Sequence, residues 1–238
     1  MPDRIILINK PYHWTSFDVV KKLRKPLLEE RKRELSPEDR LVIKKLKVGH
    51  AGTLDPLATG LLVLCSGKLT RQISEIQDAE KEYTGTIVIG SQTDSYDLET
   101  PTHSFLPIEN IFPELIYSVA SSFCGKQMQK PPIHSAKKID GQRAYEKARR
   151  GEEFEITAKE IEIKTFEITT IKLPEIDFRV VCTKGTYIRS LAHDFGQRIL
   201  AGAHLSALCR TRIGNYLLED ALTPEDFLSQ LVEKQNIQ

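Results

Sequence analysis

A single carboxylate, Asp55, lies in a glycine-rich stretch of the chain, GHAGTLDPLATG, at residues 49–60. No other acidic residue occurs between Asp39 and Glu75. The apolar run at residues 61–65 predicts a buried strand directly after this stretch. Loops held by a rigid scaffold often carry catalytic side chains, but an Asp in such a loop also commonly completes a turn. The loop alone therefore leaves both roles open for Asp55.

The longer phrase GHAGTLDPLATGLLVLCSG resembles the signature loop of the TruB family of pseudouridine synthases, which act on the T loop of transfer RNA. Four further segments resemble the family in the same order, so that the similarity runs from about residue 6 to about residue 212. These segments are Asn9-Lys10-Pro11 with Thr15-Ser16, Lys81-Glu82-Tyr83, Pro131-Pro132 through Gly151, and Lys184 through Arg189 with Gly202 to Leu208 beyond it. The resemblance implies an α+β fold with a mixed, largely antiparallel central sheet, flanking helices and a central cleft.

The resemblance also implies the catalytic residues. Asp55 would be the catalytic carboxylate, either as a nucleophile at C1′ of the ribose or as the base that removes the C2′ proton, and the sequence does not distinguish these. Arg189 would be its ion-pair partner, holding the carboxylate through paired hydrogen bonds. Tyr83 would stack on the flipped base. It is also the candidate for moving the C5 proton, because no other titratable side chain is evident for that step.

The remaining site residues follow from the same resemblance. Tyr187 and Leu208 would line the base pocket, and His50 would fill the space left by the flipped uridine. His134 stands where the family usually has tyrosine, and Cys209 where a basic residue is common. The RNA-contact candidates are Lys10, Lys137, Arg143, Arg149 and Arg210.

The net charge is only +1, but the charges are unevenly distributed. Residues 21–47 and residues 126–151 each carry a net +6, so the rest of the chain carries a net −11. Two basic segments on an acidic body are typical of a protein that binds a polyanion, although each segment could also be a solvated helix face. The second segment coincides with the family's RNA-clamping motif, which favours RNA binding there.

Other chemistries lack support in the sequence. Four widely spaced cysteines in mostly apolar surroundings predict buried, reduced thiols, and neither they nor the six histidines have the spacing of a metal site. No cofactor signature is found, and the reaction that the resemblance implies needs no metal or reducing cofactor. No apolar run approaches the ~20 residues needed to span a bilayer, and no signal-peptide pattern is present, so we expect a cytoplasmic protein.

The hydrophobic patterns predict the α+β class, and the resemblance implies a single catalytic domain at residues 1–238. It would contain a charged insertion at about 26–47 and a mobile RNA-clamping segment at about 126–152, and would lack the C-terminal PUA domain found in many bacterial members. The predicted strands are 4–9, 61–66, 81–91, 160–173, 177–183 and 205–219, and the predicted helices are 16–25, 108–122, 141–150, 188–200 and 223–234.

The favoured function is a stand-alone enzyme that converts uridine to pseudouridine in the T loop of transfer RNA, expected at position 55, without an obligate protein partner. Two alternative functions have less support in the sequence. One is the catalytic subunit of a guide-RNA-dependent synthase, which the missing PUA domain disfavours. The other is a non-catalytic RNA-binding folding factor, which the presence of both Asp55 and Arg189 disfavours.

Overall fold

The computed structural model of the chain describes residues 3–42, 44–133, 138–139, 142–143, 150 and 156–236. The chain forms two compact units: residues 1–81 with 209–238, and residues 82–208. The elements in chain order are β1 (Ile5–Lys10), α1 (Ser16–Arg33), α2 (Pro37–Val42), β2 (Val48–His50), β3 (Ala58–Ser66), a 3-10 helix (Gly67–Gln72), α3 (Ile73–Asp78), β4 (Lys81–Ile89), β5 (Gln92–Thr93), β6 (Thr102–His103), α4 (Pro113–Ser121), β7 (Gly125–Gln129), β8 (Lys138–Ile139), β9 (Gln142–Arg143), β10 (Lys159–Lys172), β11 (Glu175–Cys182), α5 (Ile188–Arg198), β12 (Ala203–Ile213), β13 (Tyr216–Leu217), a second 3-10 helix (Leu218–Asp220) and α6 (Pro224–Asn236).

The first unit is built around β3, which is buried on both faces. β3 pairs antiparallel with β1, from Ile5 opposite Cys65 to Lys10 opposite Gly60, and antiparallel with β2. One apolar face of these strands packs against α1 and α6, whose contributions include Leu23 and Leu27 of α1 and Phe227 and Leu231 of α6. The opposite face packs against a second cluster that includes Ala51, Ile76 and Ile213. The strand β3, which follows the Asp55 loop, is therefore held rigidly.

Helix α1 extends well beyond the predicted end at residue 25. It begins with a capping box in which Thr15 is the N-cap and exchanges hydrogen bonds with Asp18. Pro26 lies inside the helix, where a proline costs about 3 kcal/mol. Leu27, only 1% exposed, follows it on the buried face, and burying a leucine side chain contributes about 1.5–3 kcal/mol. Core packing on both sides of Pro26 thus offsets the lost backbone hydrogen bond.

The second unit has an antiparallel β10–β11 hairpin, with β7 paired antiparallel to β10. Its core includes Phe166, whose ring centroid lies 6.0 Å from that of Phe123, 5.8 Å from Phe178 and 5.9 Å from Phe195. Phe195 belongs to α5, so this aromatic cluster fixes the helix that carries Arg189. The edge strand β7 was missed by sequence analysis, because its residues GKQMQ have neither β-branched side chains nor a clear alternation of apolar and polar residues.

All six predicted strands are present, with ends shifted by a few residues, and the α+β class is confirmed. The predicted strand 205–219 is interrupted at Gly214, whose φ of 53° forms a turn between β12 and β13. The predicted helix 141–150 is wrong at Gln142–Arg143, which form a strand paired with Lys138–Ile139, and residues 144–149 lie outside the described part. No helix in the described part of the chain is long and apolar enough to cross a membrane.

Candidate active site

The half-buried Asp55 lies in the loop that connects β2 to β3, in the first unit. At the start of the loop, directly after β2, the Ala51 N–H donates a hydrogen bond to the Val63 carbonyl of β3 (2.8 Å). It re-enters β3 through a turn in which the Ala58 N–H donates to the Asp55 carbonyl (3.1 Å). The paired strands β2 and β3 thus fix both ends of the loop.

The start of α1 holds the middle of this loop. The buried hydroxyl of Ser16 accepts a hydrogen bond from the Leu54 N–H (2.8 Å) and lies 3.1 Å from the Leu54 carbonyl, to which it donates. Because Thr15 already caps the helix, the Ser16 side chain is available for this contact. Both backbone polar groups of the residue before Asp55 are therefore tied to the N-terminus of α1.

Lys10, at the end of β1, holds the other side of the loop. Its side chain is fully buried, and its ammonium donates to the carbonyls of Trp14 (2.6 Å), Pro11 (2.9 Å) and Pro56 (3.3 Å). Burial lowers the pKa of Lys10 to about 8, against the opposing effect of the Asp55 charge, and Arg210 lowers it further. The residue was predicted to contact RNA, but in the structure its donors bind backbone carbonyls around Asp55.

Arg210, on β12, anchors the same loop and is 1% exposed. Its guanidinium donates from Nε to the Leu61 carbonyl (2.8 Å), from Nη2 to the Gly52 carbonyl (3.0 Å) and from Nη1 to the Thr53 carbonyl (3.4 Å). Arg210 is thus buried and cross-links the loop to β3, and its contact with RNA stays a prediction.

Gly60 is required by the close approach of β3 to β12. Its φ is 100°, and a Cβ atom there would lie 2.4 Å from the carbonyl oxygen of Arg210. Only glycine fits both the backbone conformation and this distance. Gly60, the last glycine of the loop motif, thus lets the backbone of Arg210 lie directly against β3. The side chain of Arg210 binds the same strand at the Leu61 carbonyl.

His50, the last residue of β2, lies within electrostatic range of the Arg210 guanidinium. Burial lowers its pKa, as does the positive charge of Arg210, while a hydrogen bond with the backbone of Gly52 opposes the shift. Its imidazole is therefore neutral at neutral pH. The first unit brings together four of the predicted site residues, Asp55, His50, Lys10 and Arg210.

Arg189 is in the second unit, on the first turn of α5, and is 4% exposed. Its Nε lies 3.5 Å from Oδ2 of Asp97, and its Nη1 donates to the Ser95 carbonyl (3.2 Å). Asp97 is itself buried, and its Oδ1 accepts a hydrogen bond from the Glu99 N–H (3.0 Å). Sequence analysis missed Asp97; the available signal was a polar segment, TDSYD, directly after the predicted strand 81–91.

Tyr187 precedes α5 and is held through its backbone. Its N–H donates to Oε1 of Gln129 (2.8 Å), and its carbonyl accepts from Nε2 of the same amide (3.0 Å). Next along the chain, Lys130 accepts a hydrogen bond at its carbonyl from the Ser190 hydroxyl (2.8 Å). The end of β7, which leads into the predicted clamp, is thus fixed to the start of α5 by Gln129, a residue that sequence analysis did not single out.

Two other predicted residues of the second unit lie on strands that are neighbours in the sheet. Tyr83 is buried on β4, and the half-buried Leu208 is on β12. Lys137, Arg149 and His134 lie outside the described residues, and of Arg143 only the backbone is described. Their predicted contacts with RNA stay predictions.

Comparison with known proteins agrees with this arrangement of motifs. Residues 40–188 match the model of the TruB family pseudouridylate synthase N-terminal domain. A protein named tRNA pseudouridine synthase B from Flavobacterium johnsoniae is 52% identical over 219 residues, which cover 92% of each chain. A protein of the same name from Parabacteroides distasonis is 47% identical over 97% of this chain and 95% of that relative.

Solved structures show the same fold. The chain superposes on a Cbf5-Nop10-Gar1 complex with a TM-score of 0.65 and 27% identity, covering 94% of this chain and 53% of that one. It also superposes on an H/ACA RNP bound to a substrate RNA containing 2′-deoxyuridine, with a TM-score of 0.67 and 24% identity. The chain spans about half the length of those two chains. With the family model and the relatives taken together, this chain belongs to the TruB family of pseudouridylate synthases.

Proposed function

We propose that the protein isomerises uridine to pseudouridine in the T loop of transfer RNA, at the position expected to be 55, and that it does so in the cytoplasm. The observation that carries the proposal is the Asp55 loop, whose backbone is bound by the buried side chains of Ser16, Lys10 and Arg210. Relatives over 45% identical along nearly their whole length carry the name tRNA pseudouridine synthase B.

The isomerisation breaks the C1′–N1 bond of uridine and forms a C1′–C5 bond, and the proton at C5 is lost while N1 gains one. Substrate and product have the same composition, so the reaction consumes no oxidant or reductant. A carboxylate at the sugar can attack C1′ or take the C2′ proton, and both routes need it held in a defined position. A loop bound at Leu54, Pro56 and Thr53 supplies that fixed position to Asp55.

The proposed roles in the second unit follow the family resemblance. Arg189 would pair with Asp55 in the catalytic state, while Asp97 and the Ser95 carbonyl hold its guanidinium. Tyr83 would stack on the flipped base and move the C5 proton. Tyr187 would line the base pocket, with its backbone fixed by Gln129.

A basic cavity in the first unit supports binding of the RNA backbone. It has a volume of about 310 Å³ and contains a single acid, Asp3, whose carboxylate accepts from the Lys68 N–H (3.1 Å). The cations that line it are Arg31, Lys45, Lys47, Lys68 and Arg71. None of the five forms an ion pair with another described residue. Part of the charged segment 26–47 thus joins Lys68 and Arg71 in a surface suited to phosphate groups.

The test is to incubate the purified protein with unmodified transfer RNA and map pseudouridine along the product. We expect conversion at one T-loop position, no conversion by Asp55→Asn, and normal conversion by Asp220→Asn, a change of the same chemistry at an exposed acid. RNA binding by Asp55→Asn should be retained. Conversion that requires a second RNA would assign the protein to guide-dependent synthases, and RNA binding by wild type without conversion would indicate a folding factor.

A further inference from the structure

A ring stack lies beside the contacts of Arg189. Helix α5 presents Arg189 and His193, which are four residues apart and so lie on the same face. The rings of Tyr96 and His193 are stacked, with centroids 3.9 Å apart and planes inclined by 15°. The residues on either side of Tyr96 supply the acceptors for Arg189, namely the Ser95 carbonyl and the Asp97 carboxylate. One short loop therefore contacts two successive turns of α5.

The backbone of Tyr96 is strained. Its φ of 64° is in the left-handed region, which non-glycine residues rarely adopt and which costs about 1–3 kcal/mol. The conformation is held by hydrogen bonds from the Tyr96 N–H to the Thr93 carbonyl (3.2 Å) and from the Leu205 N–H to the Tyr96 carbonyl (2.9 Å). The Ser95 hydroxyl also donates to the Asp97 carbonyl (3.0 Å). A strained conformation fixed on several sides is typical of residues that position a functional group.

The surroundings of the stack also favour an uncharged imidazole. Burial lowers the pKa of His193, so its ring is neutral at neutral pH and adds no second positive charge beside Arg189. A purely structural stack could lie anywhere in the core. This one joins two parts of the described chain that contact the guanidinium or carry it, residues 95–97 and α5.

We propose that Tyr96 and His193 are positioning residues for Arg189: their stack fixes residues 95–97 against α5 and so sets the orientation of the guanidinium. The inference rests on the proposed catalytic role of Arg189. Neither ring touches the substrate in this scheme, since both act through the Ser95 carbonyl and the Asp97 carboxylate.

The test compares variants that remove the stack with variants that keep it. His193→Ala and Tyr96→Gly each remove a ring, and glycine adopts the left-handed backbone of residue 96 without strain. His193→Phe and Tyr96→Phe keep a stacking surface. Leu200→Gly is the matched control, because Leu200 has a φ of 59° near the end of α5 but is 87% exposed.

Single-turnover rates at saturating transfer RNA should fall about tenfold or more in the ring-removing variants, because small displacements of a catalytic group are costly. The dissociation constant for RNA should stay within about threefold, and the phenylalanine variants should regain most of the rate. Combining Tyr96→Gly with Arg189→Lys should add no further loss, because residues that act through one group are not additive. Leu200→Gly should behave like wild type.

An activity-independent measurement separates this inference from the proposed function. Exchange of the Arg189 Nε proton, followed by NMR, should be faster in His193→Ala and Tyr96→Gly than in wild type and restored in the phenylalanine variants. Unchanged exchange, or losses in rate that add to that of Arg189→Lys, would overturn the inference. Absence of pseudouridine formation by wild type would instead overturn the proposed function, and the exchange measurement would still decide the role of the stack.

Discussion

Replacing Arg210 by methionine should destabilise the protein by about 3–4 kcal/mol and disable the Asp55 loop. The side chain of methionine matches that of arginine only as far as Nε and cannot donate to the carbonyls of Leu61, Gly52 and Thr53. An unsatisfied buried acceptor costs about 1–3 kcal/mol. The Leu61 carbonyl, inside the buried strand β3, should lose most, while water can partly replace the contacts to the more exposed Gly52 and Thr53.

The assay combines urea unfolding with single-turnover kinetics. The expected loss is a large fraction of the 5–15 kcal/mol by which domains are usually stable, so it should move the unfolding midpoint strongly. The rate should fall about 100-fold through displacement of Asp55, with RNA affinity nearly unchanged. Arg212→Met is the control: Arg212 is on the same strand, but it binds Glu80 (2.7 Å) and the Gly214 carbonyl (3.0 Å) instead of the loop. It should leave the rate unchanged.

The dependence of RNA affinity on salt distinguishes this role from the contact first predicted from the sequence. A cation that binds phosphate contributes about 0.7–0.9 to the slope of log affinity against log salt concentration. For Arg210→Met we expect the wild-type slope. A shallower slope with an unchanged rate at saturating RNA would refute the reasoning and return Arg210 to the RNA contacts.

Three further predictions concern the second unit. Asp97→Asn should cost about 3 kcal/mol and lower the rate without weakening RNA binding, whereas Asp94→Asn, at an exposed acid, should do neither; equal effects of both would contradict the Arg189 pairing. Burial raises the pKa of Asp194 to about 6, against the opposing charge of Arg198, so the stability present below pH ~4 is lost as pH rises through 6. Asp194→Asn should therefore exceed wild type in unfolding free energy by about 1–3 kcal/mol at pH 7 and match it near pH 4, and a pH-independent difference would argue against burial as the cause. Tyr83→Phe should bind RNA normally but react slowly if its hydroxyl moves the C5 proton, and wild-type rates in both Tyr83→Phe and Tyr83→Ala would remove Tyr83 from the site.

Local patterns predicted the strands and most helices because their signals lie within a few residues. The end of α1 shows where this fails. Pro26 is a strong local signal for termination, but the burial of Leu27 against the core depends on strands and a helix elsewhere in the chain. The edge strand β7 was not predicted for the opposite reason: its local signal is too weak, and its strand conformation depends on pairing with β10.

The site residues also divide into those with a local sequence signal and those whose role depends on distant parts of the chain. Asp55 and Arg189 could be identified from short motifs, whereas the groups that hold them could not. Arg210 resembled a surface cation, and only the structure shows its guanidinium on carbonyls about 150 residues away. Asp97 lay in an unremarked polar segment, and its burial beside Arg189 depends on tertiary contacts.

The long separation between the Asp55 loop and Arg210 has a consequence for protein synthesis. The contact between Arg210 and Gly52 joins residues 158 positions apart, so a ribosome must add a further 158 residues after Gly52 before this anchor can form. Residues 82–208 form a continuous unit that can fold as it emerges, whereas the first unit must wait for residues 209–238. Chains terminated before Arg210 that carry the complete Asp55 motif would thus lack a fixed loop, and we expect nascent chains to acquire activity only after Arg210 has emerged.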